Sequence, residues 1–163
     1  MKTVVILGTP HLEYKEPKDA LISGLEERLA YLTRKVRHQV VMEGWSESRR
    51  PSVANVFAKE SKLQWVDVGT PDEPQYRTCT PYINHPEHAG SLPEYGGDAP
   101  AMHVYGPFDE QENRESLMAE NVRAEMEKCE TGLFVLGTAH LHSMFGKLQR
   151  LDFAVRAFCW LGV

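Results

Sequence analysis

The chain has few cysteines and no long apolar run, and each absence excludes a class of protein. Its 3 cysteines, Cys79, Cys129 and Cys159, are odd in number and widely spaced, unlike a disulfide framework or a zinc ribbon. The apolar run near the N-terminus covers only residues 4–7, which is too short for a signal peptide or a membrane span. The sequence therefore predicts a cytoplasmic protein with no membrane partner.

The chain also has fewer positively charged than negatively charged residues. The chain has 18 Lys and Arg against 23 Asp and Glu, a formal net charge of −5, and no basic run stands out. This composition argues against a nucleic-acid partner. With 163 residues, 42% of them hydrophobic, the chain is predicted to form one domain, residues 1–163. We expect its partner to be a small-molecule or peptide substrate.

Apolar patterns along the chain alternate between those of strands and those of helices. Short apolar segments predict strands, and apolar residues at every third or fourth position predict helices. The strand-like segments are residues 4–7, 38–43, 63–69, 132–136 and 153–161, and the helix-like segments are residues 17–36, 50–61, 109–128 and 143–151. Such alternation predicts an α/β fold, a mostly parallel sheet of about five strands with helices on both faces.

One segment, residues 70–106, interrupts this alternation. Seven of the 10 prolines fall between residues 71 and 107, and glycines lie among them. Proline and glycine break regular structure, and a long irregular segment inside a compact domain is typical of a binding loop or lid. We therefore predict a Pro-rich lid over the functional site, inserted into the single domain.

A tetrapeptide, Gly-Thr-x-His, occurs twice, as "GTPH" at residues 8–11 and as "GTAH" at residues 137–140. Each copy follows a predicted strand, so glycine there permits a sharp exit or a close approach to the backbone. The carboxyl ends of parallel strands share one edge of a sheet, where ligands bind. The repeat therefore predicts that His11 and His140 lie at the same edge, together with Glu43 and Asp67 from two further strand ends.

The segment "NRESLMAENVRAEMEKCETGLFVLGTAHLHSM", residues 113–144, resembles the one that characterises the erythromycin esterase, ChaN-like and TraB/Tiki group. In that group a helix opens with Arg and an acidic residue, and a strand ending in a histidine motif follows. The order of motifs is the same here, over most of the chain except residues 70–106. The matching residues are Arg114, Glu115, Met118, Ala119, Glu120 and Asn121 in the helix, Gly137 and His140 at the strand end, Gly8 and His11 near the N-terminus, and Glu43.

The resemblance implies one scaffold with differing chemistry. Esterase-type members activate water with a histidine, Tiki-type members resemble metal-dependent proteases, and ChaN-like members bind haem. The predicted function is hydrolysis of an ester or amide bond, with or without a divalent metal. The candidate catalytic residues, which are also the metal ligands if a metal is bound, are His11, Glu43 and His140. In the metal-free form Glu43 orients an imidazole that deprotonates water.

Other polar residues near the predicted edge are candidates for substrate binding. They are Arg49, Asp67, Arg114, Glu115 and His142. Arg114 is expected to pair with Glu43 or Glu115, or to hold an anionic group. His38 is expected at the surface or beside a strand. The alternatives to a hydrolase are a binding or regulatory protein that keeps the same pocket, and a haem-binding protein.

Overall fold

Strands and helices alternate along the part of the chain that the structure, a computed structural model, describes: residues 1–9, 19–44, 52–69, 79–81, 103–105 and 108–160. The strands are β1 (Thr3–Thr9), β2 (Val40–Glu43), β3 (Gln64–Asp67), β4 (Cys79–Pro81), β5 (His103–Tyr105), β6 (Thr131–Gly137) and β7 (Ala154–Cys159). The helices are α1 (Asp19–Val36), α2 (Val53–Glu60), α3 (Phe108–Met126) and α4 (Leu141–Arg150), and a 3-10 turn over Thr138–His140 precedes α4. Within these ranges, no helix combines the length and apolar character needed to span a bilayer.

The main sheet has five strands in the order β3-β2-β6-β1-β7, and every pair in it is parallel. Parallel neighbours need a crossover connection, which explains why at least one helix lies between any two strands of this sheet that follow one another along the chain. The strand β6 enters the sheet between β1 and β2, although it follows both in sequence. The predicted α/β fold with a parallel sheet of about five strands is confirmed.

A second, two-stranded sheet lies inside the predicted Pro-rich segment, where β4 and β5 pair antiparallel. The other residues of that segment, 70–78, 82–102 and 106, lie outside the described residues. The lid therefore stays a prediction.

Helices cover the main sheet on both faces, and the three inner strands β1, β2 and β6 are buried on both faces for that reason. On one face, strand residues such as Val4 and Ile6 pack with α3 and α4. On the other face, Val5 and Leu7 pack with α1 and α2. All four of these β1 side chains are fully buried, and burial of a side chain of this size stabilises a fold by about 1.5–3 kcal/mol.

The amino edge of the sheet is built from short, similar helix-to-strand connections. Three residues separate α1 from β2, α2 from β3 and α4 from β7. Each connection contains one residue with positive φ that is not glycine: Arg37 (56°), Lys62 (57°) and Asp152 (63°). This single residue in the left-handed conformation ends the helix and lets the chain return to the sheet. The conformation is unfavourable by about 1–2 kcal/mol for a residue that carries a side chain. The strand-to-helix connections lie at the opposite, carboxyl edge, and the one between β6 and α4 is also three residues long.

The two Gly-Thr-x-His copies begin on neighbouring strands, because β1 pairs with β6 and Thr9 is the register partner of Gly137. The copies are thus side by side and staggered by one residue. A Cβ atom on Gly8 would lie 3.2 Å from Leu141 Cδ2 and 3.4 Å from Thr138 Cα, so glycine lets the start of α4 approach β1 closely. Gly137 has ordinary extended angles, φ −62° and ψ 137°, which any residue adopts.

Candidate functional site

The carboxyl edge of the main sheet carries several of the predicted site residues. Glu43 is the last residue of β2, Asp67 is the last residue of β3, and His140 ends the 3-10 turn that follows β6. Because all five strands are parallel, these three positions lie at one edge. His11 and Arg49, predicted for the same edge, lie outside the described residues.

A buried histidine–carboxylate pair forms the centre of this edge. His140 is 5% exposed and Glu115 is 1% exposed, and the distance between His140 Nδ1 and Glu115 Oε1 is 2.7 Å. When Glu115 is ionised its carboxylate only accepts hydrogen bonds, and Nδ1 of His140 then carries the proton and donates it. In that tautomer Nε2 carries the lone pair, which makes it the nitrogen able to take a proton or bind a metal.

The helix α3 brings Glu115 to His140 because Glu115 belongs to the buried stripe of that helix. Ala119, Val122 and Met126 continue that stripe at helical spacing, and all three are buried. A Cβ atom on Gly132, near the amino end of β6, would lie 2.6 Å from Met126 Sδ, so α3 runs from the carboxyl edge towards the amino edge. The sequence feature that could have indicated this contact is therefore a glutamate at a position of the α3 stripe where the other residues are apolar.

The first turn of α4 also contacts the Glu115 carboxylate. Ser143 Oγ donates a short hydrogen bond to Glu115 Oε2, the oxygen that does not contact His140. His140 is the residue immediately before α4, and its side chain forms no capping hydrogen bond to the helix. The chain at the start of α4 therefore supplies a partner to each oxygen of the Glu115 carboxylate, His140 and Ser143.

Glu43 lies on the opposite face of the sheet from this pair. Two side chains donate hydrogen bonds to its Oε2: Ser52 through a short contact and Trp65 through Nε1 at 2.9 Å. Burial raises the pKa of Glu43 above its usual value, the Ser52 and Trp65 hydrogen bonds oppose that rise, and the nearby charge of Asp67 adds to it. We predicted that Glu43 orients a catalytic imidazole, whereas the carboxylate that contacts His140 is Glu115.

Ser52 also has a structural function at this position. It is the N-cap of α2, and its Oγ accepts a hydrogen bond from Asn55 N at 3.0 Å. The hydroxyl group of Ser52 thus both caps α2 and donates a hydrogen bond to the buried Glu43 carboxylate. Through Ser52 and Trp65, Glu43 links β2 to α2 and β3.

The remaining predicted residues divide between buried and exposed positions. Arg114 is 7% exposed and lies beside Glu115 in α3. Asp67 is exposed, and its Oδ1 accepts a hydrogen bond from Gly69 N at 2.8 Å. His142 is exposed on the first turn of α4. Of the predicted substrate-binding residues, the structure thus places Glu115 in contact with His140.

His38 was not predicted to be buried. It flanks β2, one of the two positions expected for it, and its side chain is only 4% exposed. Neither ring nitrogen has a hydrogen-bond partner among the residues that the structure describes. Burial lowers the pKa of His38 from 6.5 to about 4, which keeps the ring neutral near neutral pH.

The described residues contain no group of three or more His, Cys, Asp or Glu side chains that could hold a metal ion. The predicted metal ligands include His11, which lies outside these residues. The other two, Glu43 and His140, have different hydrogen-bond partners on opposite faces of the sheet. The described contacts therefore provide one imidazole whose Nδ1 lies against a carboxylate.

The chain was also compared with known proteins. No family model, no curated protein and no solved structure matches it. The resemblance to the erythromycin esterase, ChaN-like and TraB/Tiki group therefore stays a prediction that depends on the motifs themselves.

Proposed function

We propose that the protein hydrolyses an ester or amide bond and that His140, held by Glu115, is its general base. The observation that carries the proposal is the buried 2.7 Å contact between His140 Nδ1 and Glu115 Oε1 at the carboxyl edge of the sheet. A carboxylate at Nδ1 fixes the tautomer and orientation of the ring, and it stabilises the imidazolium that forms when Nε2 takes a proton.

The proposed reaction adds water across the scissile bond. Nε2 of His140 takes a proton from water while the water oxygen attacks the carbonyl carbon. The imidazolium then returns that proton to the leaving alkoxide or amine as the C–O or C–N bond breaks. A positioned acid–base group of this kind contributes about 10²–10⁴-fold to a reaction rate.

The motif resemblance supports the same residues. The Arg114–Glu115 pair and His140 are among the residues by which the chain resembles the esterase-containing group, and Glu115 and His140 are in contact. In this proposal His11, which follows β1 by two residues in the sequence, supplies a second imidazole. Glu43 anchors α2 and β3 through Ser52 and Trp65 and does not contact the reacting bond.

The proposal is tested by hydrolysis of defined probes. Release of p-nitrophenol from p-nitrophenyl acetate and butyrate, and cleavage of a quenched fluorescent peptide library, are measured for the wild-type protein, His140→Gln and Gln149→Ala. Gln149 is exposed on α4, the helix that follows His140, and is the matched control. We expect wild-type and Gln149→Ala proteins to hydrolyse at least one probe at equal rates and His140→Gln to lose about 10²-fold or more.

Two outcomes count against the proposal. Equal rates for the wild-type and His140→Gln proteins would show that His140 is not the base. Hydrolysis of none of the probes by the wild-type protein would favour the alternative, a binding or regulatory protein.

The assay is repeated with a chelator, because loss of activity on chelation would assign His140 to a divalent metal instead of to proton transfer from unbound water.

A further inference from the structure

We propose that Ser143 is a positioning residue that fixes the Glu115 carboxylate against His140. Each oxygen of that carboxylate has its own donor: His140 Nδ1 at Oε1, and Ser143 Oγ at Oε2. Both donors come from the start of α4, whereas Glu115 comes from α3. The catalytic consequence of this arrangement rests on the proposed hydrolase function, but the positioning itself does not.

The spacing of the two donors explains why they reach one carboxylate. Ser143 follows His140 by three residues, and residues three apart lie on the same side of a helical turn. The 3-10 turn over Thr138–His140 brings the chain directly from β6 into α4, so the same turn that places His140 also places Ser143. The sequence "HLHS" therefore contains both donors.

The second hydrogen bond restrains a torsion that is otherwise loose. The terminal torsion of a glutamate has a broad energy minimum, so each hydrogen bond to a carboxylate oxygen narrows the range of that torsion. Glu115 is 1% exposed, which leaves little water to take the place of the Ser143 hydroxyl. A donor at each oxygen keeps Oε1 directed at Nδ1.

The positioning is tested by NMR of protein containing isotope-labelled histidine. The Nδ1 proton of His140, hydrogen-bonded to a buried carboxylate, is expected at low field in the wild-type protein. We compare Ser143→Ala, which removes the hydroxyl, with Ser143→Thr, which keeps it. The matched control is Ser116→Ala: Ser116 is exposed, lies next to Glu115 in α3, and accepts a hydrogen bond from Lys147 Nζ at 3.2 Å.

We expect the low-field Nδ1 proton to weaken or move upfield in Ser143→Ala and to persist in Ser143→Thr and Ser116→Ala, with all three variants folded by circular dichroism. On p-nitrophenyl acetate, Ser143→Ala is expected to lower kcat about 10-fold with KM unchanged, as for residues that orient a catalytic histidine through a partner. Rescue by Ser143→Thr separates the loss of the hydroxyl from a general loss of packing.

The outcomes separate this inference from the proposed function. An unchanged Nδ1 proton in Ser143→Ala overturns the positioning, whether or not the wild-type protein hydrolyses esters. A weakened Nδ1 proton in a protein that hydrolyses none of the probes supports the positioning and counts against the hydrolase. If Ser143→Ala fails to fold, a Ser143→Thr variant that folds but lacks the low-field proton also overturns it.

Discussion

Replacement of His38 by leucine is expected to remove much of the acid sensitivity of the fold. The buried ring has a pKa of about 4 in the folded protein against 6.5 for a free histidine. Between these values the unfolded chain binds more protons than the folded protein, so stability is lost as the pH falls from 6.5 towards 4. At about 1.4 kcal/mol for each pH unit, protonation of this one residue destabilises the fold by about 2 kcal/mol between pH 7 and pH 5.

The assay is urea unfolding followed by circular dichroism at pH 7, pH 6 and pH 5, from which the free energy of unfolding is extrapolated to water. We expect His38→Leu to lose about 2 kcal/mol less than the wild-type protein over this range. At pH 7 the variant should be as stable as the wild type or more so, because the described residues offer neither ring nitrogen a hydrogen bond.

The matched control is His142→Leu, which removes an exposed histidine. Its stability should depend on pH as the wild-type stability does, because no buried ring is lost. The same pH dependence in wild-type and His38→Leu proteins would refute the reasoning, since it would mean that the folded protein lets His38 become charged without cost.

Three further changes test the packing and the helix ends by urea unfolding at neutral pH. Gly132→Ala places a Cβ atom 2.6 Å from two methionine side chains, so we expect a loss of about 1–3 kcal/mol, and unchanged stability would contradict the core packing. Lys62→Gly relieves a positive φ of 57°, and we expect a gain of about 1 kcal/mol; a loss would show that the lysine side chain is itself stabilising. Ser52→Ala removes the α2 cap and a donor to buried Glu43, and should cost about 1–3 kcal/mol, whereas a neutral effect would argue against both contacts.

Much of the fold could be predicted because apolar patterns report burial directly. Residues 4–7 are a continuous apolar run, and all four are buried in the central part of the sheet. The helix predicted over residues 17–36 is α1, Asp19–Val36. The strand order could not be read in this way, since no local pattern says that β6 lies between β1 and β2.

The candidate site was predictable to the level of the sheet edge, and its contacts were not. The repeat marks the ends of the paired strands β1 and β6, because strand ends carry their own turn signals, whereas the meeting of His11 with His140 stays a prediction. Whether His140 meets Glu43 or Glu115 depends on which helix covers which face, and that is decided by tertiary packing. His38 lies in a three-residue connection, where no periodicity distinguishes a buried position from an exposed one.

The most direct test of the central claim is kcat/KM for Glu115→Gln on the p-nitrophenyl ester that the wild-type protein hydrolyses fastest. Glutamine keeps the shape of Glu115 but removes the charge that holds His140 and stabilises its protonated form. The control is Glu120→Gln on the same helix, because Glu120 is exposed and pairs at the surface with Arg123. We predict that Glu115→Gln lowers kcat/KM about 10²-fold and that Glu120→Gln leaves it unchanged. A Glu115→Gln protein with wild-type kcat/KM would contradict the claim that the His140–Glu115 pair performs the chemistry.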